Sequence, residues 1–195
     1  MLTNYDPTAE LYVIGDSISS QELVHRIGQE TTAPVRATTV EEFFKLPDHA
    51  QCMIGFWNIG YRINFINQAA ALHRRWPTFI DPTASVPNPE LVDTGSVIHP
   101  QSAVGYLARI GKFCIVGPMT NVGYNTVIGD NTIICPGTCI TGSVTIGKNV
   151  NIGQSSSIKN KIAICDNVDI FMGSRVTRNI TVPGSYYCNK LSKSL

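Results

Sequence analysis

From Ile80 to Val182 every sixth residue is isoleucine or valine, eighteen positions in one unbroken register. An amphipathic helix repeats at about 3.6 residues and a coiled coil at about 3.5, so the period fits neither. It fits a solenoid. One β-branched side chain per face points into a narrow core, and each rung buries its apolar edge against the rungs beside it. The place after the branched residue is glycine at Gly105, Gly111, Gly117, Gly123, Gly129, Gly147 and Gly153. A backbone that turns a corner there without room for a Cβ accounts for that preference.

Residues 11 to 77 follow another pattern. Short apolar runs at Leu11–Gly15, Ala33–Ala37 and Cys52–Phe56 read as strands. The amphipathic stretches Gln21–Ile27, Val40–Leu46 and Arg62–Trp76 read as helices. Strand and helix in alternation predict a small parallel sheet with crossover helices, a half-Rossmann unit. Ligands of such sheets bind beyond the carboxyl ends of the strands, here Gly15–Asp16–Ser17 and Phe56–Trp57–Asn58. The expected division is an α/β unit over 1–77, a parallel β-helix over 78–185 and a tail over 186–195.

Charge adds exclusions. With 15% charged residues and a net charge of +1, the chain offers no basic stripe for nucleic acid. No apolar run is long enough for a membrane span, and the first residues lack the pattern of a secretory signal, so the expected location is cytoplasmic. Six cysteines, none in a CxxC pair, read as buried free thiols in a reducing compartment. His99 is the one histidine among the repeats, and a tetrahedral metal of the three-histidine kind needs more, so no metal is expected. Gly15–Asp16–Ser17 resembles the start of a GDSL-type esterase, but no Asp-x-x-His pair follows to activate Ser17.

At the junction of the two patterns stand IGFWNIGYRINFINQ and RRWPTFIDPTASV. They resemble the strand, the Asn-x-x-x-Arg helix and the F-P-T-x-I-H-P-x-A stretch of the NeuD/PglD-type sugar acyltransferases, with Asp81 in place of the histidine. The resemblance covers nearly the whole chain after residue 10. It implies eighteen-residue triangular coils, about six of them, stacked about 4.8 Å apart in a left-handed parallel β-helix, with three such prisms forming a cytoplasmic homotrimer. It also implies transfer of an acetyl group from acetyl-CoA to a nucleotide sugar or surface-polysaccharide precursor. The α/β unit would hold that sugar through Gly15, Asp16, Ser17 and Asn58. Acetyl-CoA would lie in the groove between prisms, with the Gly142 N–H facing the thioester oxygen and Ile133 beside the cofactor. Lys159, with Lys161, Arg175, Arg178, Lys190 and Lys193, would face its phosphates.

The register of VIGDNTIICPGTCITGSVTIG also exposes departures from the family. Its catalytic histidine falls on Tyr124, and the carboxylate after it on Asn125. An upstream asparagine falls on Gly117, and the C-terminal G-N-P-A segment is replaced by Tyr186–Tyr187–Cys188–Asn189. Tyrosine, with a pKa of about 10, is a poor base near neutrality. Tyr124 therefore has two readings: a corner residue filling the space of an imidazole, or a hydrogen-bonding group for the sugar or thioester. Tyr106, one coil earlier, predicts stacked rings. His99 sits on another corner and would meet Tyr124 from a neighbouring prism. Two functions follow: an acyltransferase that relies on positioning and N–H donors, or a non-catalytic relative acting as a binding or assembly protein.

Overall fold

A computed structural model describes residues 1–187 and the backbone of Lys190–Leu191. Two compact units meet in sequence between Phe79 and Ile80. The first contains β1 (Leu2–Thr3), β2 (Leu11–Ile14), α1 (Ile18–Gly28), β3 (Val35–Thr38), α2 (Val40–Phe43), β4 (Gln51–Ile54), α3 (Ile59–Ala69) and β5 (Thr78–Ile80), whose last residue opens the second. Three strands form a parallel sheet in the order β3-β2-β4, with Leu11 opposite Val35 and Gln51. Every residue of β4 is buried, as a parallel strand covered on both faces requires.

The third helix is shorter than its apolar pattern predicts: it ends at Ala69, not Trp76. The backbone of Arg75 is taken by the sheet instead. Its N–H donates to the Ala50 carbonyl at 3.0 Å, and its own carbonyl accepts from Cys52 at 2.9 Å. Trp76 then lays its ring near Phe43 and Phe65, at 5.9 and 6.4 Å between centroids.

The second unit is a left-handed parallel β-helix of about six coils. Two-residue strands pair with strands eighteen residues on, as Ile115 with Ile133, Asn121 with Cys139 and Val127 with Thr145. The branched column fills the interior: Ile98, Val116, Ile134, Ile152 and Ile170 have no exposed surface. A second buried column, not expected from the pattern, runs two places earlier and is largely polar, with Ser96, Ser102, Thr120, Thr126, Thr132, Thr138 and Ser156. Their hydroxyls bridge the coils. Thr132 Oγ1 donates to the Gly147 carbonyl at 2.9 Å and accepts from the Val150 N–H at 3.3 Å. Ser96 does the same with Gly111 and Cys114. At these two positions the buried hydroxyl is tolerated because both of its functions are met, whereas Ser174 Oγ, buried in the same column, has no partner among the described residues.

The glycines after the branched residue do not supply the turn. Left-handed backbone falls two places later, at Leu107 (φ 58°) and Asn125 (φ 54°) for example. What the glycines permit is close stacking: a Cβ on Gly123 would lie 2.5 Å from the Gly142 nitrogen.

The sixfold register also ends before Val182. Val182 is 56% exposed, whereas Ile180 is 3% exposed and bridges to Ile164, sixteen residues back. Val168 and Ile170 keep the same offset, facing Gly184 and Tyr186. Pro183 has no N–H for a ladder, and the Tyr186 hydroxyl donates to the Val182 carbonyl at 2.7 Å. Tyr186 enters the core at 8% exposure, so Tyr186 and Tyr187, expected in the tail, continue a face of the solenoid instead.

The cysteines are free, but their burial is mixed. Cys52 and Cys114 are buried, Cys135 and Cys165 half-buried and Cys139 exposed; Cys188 lies outside the described residues.

Candidate functional site

At the carboxyl end of the parallel sheet three helices begin, each closed by its own cap. Gly15 follows β2 at φ 127°, donates to the Thr38 carbonyl at 2.8 Å, and leaves room for Ser20 Oγ where a Cβ would lie at 2.5 Å. Ser17 caps α1 by accepting from the Ser20 N–H, and Ser19 Oγ donates to the Gly55 carbonyl at 3.2 Å. Thr39 and Glu42 form a reciprocal capping box on α2. Its hydrogen bonds from Thr39 hold the Glu42 carboxyl below the usual glutamate range. Asn58 Oδ1 caps α3 by accepting from the Tyr61 N–H at 3.0 Å. The guanidinium of Arg62 is buried and donates to the Phe56 carbonyl at 3.0 Å.

Beyond these caps opens a cavity of about 550 Å³. Gly15, Asp16, Thr39, Val40, Glu41 and Phe56 line it from the strand ends and α2, and Tyr61, Asn64, Phe65 and Gln68 from one face of α3. Of the expected sugar-binding residues, Gly15 and Asp16 face this space, while Ser17 and Asn58 serve as helix caps. Glu41, Tyr61, Asn64 and Gln68 are not among the residues the sequence singles out. Their signal there is faint: polar residues spaced three and four apart beside Phe65, on a helix face that otherwise reads as core.

The polar groups divide cleanly. Those next to the backbone are used as caps. The carboxylates of Asp16 and Glu41, the Tyr61 hydroxyl and the carboxamides of Asn64 and Gln68 form no side-chain hydrogen bond with the described residues.

The second candidate lies on a corner of the solenoid. Tyr106, Tyr124 and Gly142 follow one another at the eighteen-residue spacing. Tyr124 is 62% exposed, and its ring lies over Gly142, where a Cβ would stand 2.6 Å from Cε1. The Tyr106 and Tyr124 rings make no ring contact, because the bare glycine of the next coil gives the Tyr124 ring its seat. The Asn125 N–H donates to the Tyr106 carbonyl at 2.9 Å, and Asn125 Nδ2 reaches Ser143 Oγ at 3.5 Å. The Gly142 N–H, in a buried residue, donates to no group among the described residues. At another corner two of the equivalent N–H groups are met by carboxylates: Lys112 donates to Asp130 at 3.0 Å and Lys148 to Asp166 at 2.8 Å.

The other expected residues are scattered. His99 is 6% exposed and follows Val97–Ile98, a strand of a different sheet from Asn121–Val122, the one that precedes Tyr124, so one chain places the two on different corners. Ile133 is fully buried, paired in its sheet with Ile115 and Asn151. Lys159, Lys161, Arg175 and Arg178 are exposed; Lys193 and the Lys190 side chain lie outside the described residues. Burial, together with the nearby Asp169 carboxylate, pushes the Cys135 thiol up to about 11. Among the described residues no group of three His, Cys, Asp or Glu side chains is placed to hold a metal ion. No helix of these residues is long and apolar enough to cross a membrane.

The bacterial transferase hexapeptide (six repeats) model matches residues 107–142, the stretch that carries Tyr124 and Gly142. In solved structures the likeness extends to both units. The acetyltransferase domain of PglB from Neisseria gonorrhoeae superposes with a TM-score of 0.80 at 21% identity, covering 91% of this chain and 96% of that one. The chain shares the fold of that domain. A mutant of perosamine N-acetyltransferase from Caulobacter crescentus, solved in complex with CoA and GDP-perosamine, matches with a TM-score of 0.75 at 14% identity, over 91% of this chain and 94% of that one. WeeI from Acinetobacter baumannii matches with 0.71 at 21% identity, over 91% and 96%. No curated protein sequence matches the chain. Within this shared fold, the carboxyl-end cavity and the Tyr124 corner are two places where polar groups of the described residues stand without protein partners.

Proposed function

We propose that the chain is a CoA-dependent acyltransferase that moves an acetyl group from acetyl-CoA to a nucleotide-linked or surface-polysaccharide sugar, acting as a cytoplasmic homotrimer. The observation that carries this reading is the unpartnered N–H of Gly142 beside the exposed Tyr124 ring. An N–H so placed is a donor for an oxygen that gains charge during acyl transfer. The shared fold with acetyltransferases solved with CoA and GDP-perosamine supports the substrate class. In this reading Asp16 and Gly15 hold the nucleotide end of the sugar. Tyr124 and Asn125 line the reacting centre, His99 arrives from a neighbouring prism, and Lys159 with Ile133 flanks the CoA.

The amine nitrogen of the sugar attacks the thioester carbon, the C–S bond breaks, and CoA leaves as thiolate. The nitrogen's proton passes to water or to that thiolate. With tyrosine at the base position, rate comes from orientation and from the Gly142 donor, each a recognised source of acceleration without a side-chain base. The test is release of free CoA thiol from acetyl-CoA with a panel of nucleotide-linked amino sugars. Turnover is expected, and His99→Asn is expected to lower it by less than about ten-fold, since general bases contribute about 100-fold or more. A collapse by several orders of magnitude on that substitution overturns the base-free chemistry.

A second reading is favoured by Tyr124 and Asn125 themselves: a non-catalytic relative that keeps the fold as a binding or assembly protein. Calorimetry with CoA separates the two, because a chain that does not bind CoA is no acyl-CoA enzyme.

A further inference from the structure

The carboxyl-end cavity has a chemical character that its fold does not dictate. No lysine, arginine or histidine lines it, while two carboxylates, Asp16 and Glu41, do. Neither carboxylate has a hydrogen bond or ion pair with the described residues, so both remain acceptors for a ligand. The adjacent start of α1 is closed by the Ser17 side chain. A diphosphate placed inside would meet two like charges and no cation. On the opposite wall Asn64 and Gln68 offer carboxamides, and Phe56 and Phe65 set two rings edge-on at 5.7 Å.

We infer that this cavity takes the nucleoside end of the sugar nucleotide, selects guanine over uracil, and leaves the diphosphate outside; the inference rests on the proposed nucleotide-sugar reading. Guanine presents two adjacent donors, N1–H and N2–H, next to the acceptor O6. A carboxylate accepts both donors at once, and a carboxamide NH₂ from α3 supplies the donor that O6 needs. Uracil places carbonyl oxygens on both sides of its single N3–H, so the same carboxylate faces two lone pairs. Adenine offers one amino group beside an acceptor nitrogen and satisfies a carboxylate only in part. The two phenyl rings give the base plane an apolar wall.

Titration calorimetry of the full chain with GDP, UDP and acetyl-CoA tests this. GDP is expected to bind at least about ten-fold tighter than UDP, the discrimination of one bidentate pair. Glu41→Gln and Asp16→Asn, both at exposed positions, are measured singly. At least one is expected to reduce GDP affinity by about ten-fold while leaving UDP unchanged or tighter, with the thermal melt unaltered. Equal affinities, a preference for UDP, or a GDP preference that survives both substitutions overturns the guanine inference and leaves the acyltransferase reading standing. If neither nucleotide binds while acetyl-CoA does, the nucleotide-sugar reading fails, and the inference with it.

Discussion

The two units handle buried polarity in opposite ways. In the solenoid, most of the hydroxyls enclosed two places before a branched residue bridge two coils: Thr132 joins Gly147 to Val150, and Ser96 joins Gly111 to Cys114. In the α/β unit, the corresponding work is done by caps at helix starts, while five polar side chains are left facing open space. The repeat consumes its polar groups in making itself. The irregular unit has a surplus, and that surplus is what the proposed nucleotide selectivity draws on. At the Tyr124 corner of the solenoid, the Gly142 N–H lacks the carboxylate that the Lys112 and Lys148 N–H groups meet at another corner.

That contrast is easiest to break at a coil contact. Gly123→Val places a side chain where even a Cβ would come within 2.5 Å of the next coil's backbone. Because backbone cannot yield as a side-chain tip does, the solenoid is expected to lose its cooperative melt, read by circular dichroism at the β signal. A smaller effect belongs to the hydroxyl bridge. Thr132→Ala removes the acceptor of Val150 N–H and the donor to Gly147 O, and denaturant titration should show a loss of about 1–3 kcal/mol.

The caps of the α/β unit should be cheaper to lose. Thr39→Ala is expected to destabilise by about 1 kcal/mol, since an exposed N-cap is partly replaced by water. The same box carries a pH signature. Glu42 has its carboxyl lowered below the ordinary 4.5 by the Thr39 backbone hydrogen bond and then by the side-chain one. Its contribution is therefore complete above that value and fades as the pH falls through the lowered pKa. A titration of Glu42 by NMR at or above 4.5 would contradict the box.

The smallest perturbation leaves the fold intact and asks only about thiols. At pH 8 the exposed Cys139 should alkylate first among the cysteines of the described residues, while Cys135, raised to about 11, and Cys52, raised to about 12, react much more slowly. Peptide mapping over time reads the order, and equal rates would mean that the coils open readily around Cys135.

How far this was legible varies with the kind of physics involved. The branched column could be read directly, because burial of Ile and Val is set by residue type and recurs at fixed spacing. The hydroxyl column could not, since serine and threonine read as surface until their partners fifteen residues on are known. The end of α3 at Ala69 was hidden for a related reason: what stops the helix is the demand of Ala50 and Cys52 for the Arg75 backbone. At the sites, Gly15, Asp16 and Tyr124 follow from motif and register. Glu41, Asn64 and Gln68 converge only in three dimensions, from helices that share no motif.

A coil that repeats without change has no reason to end, and its last open rung is a template for any strand of matching length, including one from another molecule. The sixteen-residue step at Ile180 breaks the lattice in phase as well as in length. Tyr186 then fills the interior that a further isoleucine would have occupied, and the backbone of Lys190–Leu191 runs antiparallel across Tyr186–Tyr187. On that face an incoming parallel strand would meet one of opposite direction. The shortened turn thus acts on that one face as a phase defect does in a lattice, replacing a site for one more identical rung with a surface of another geometry.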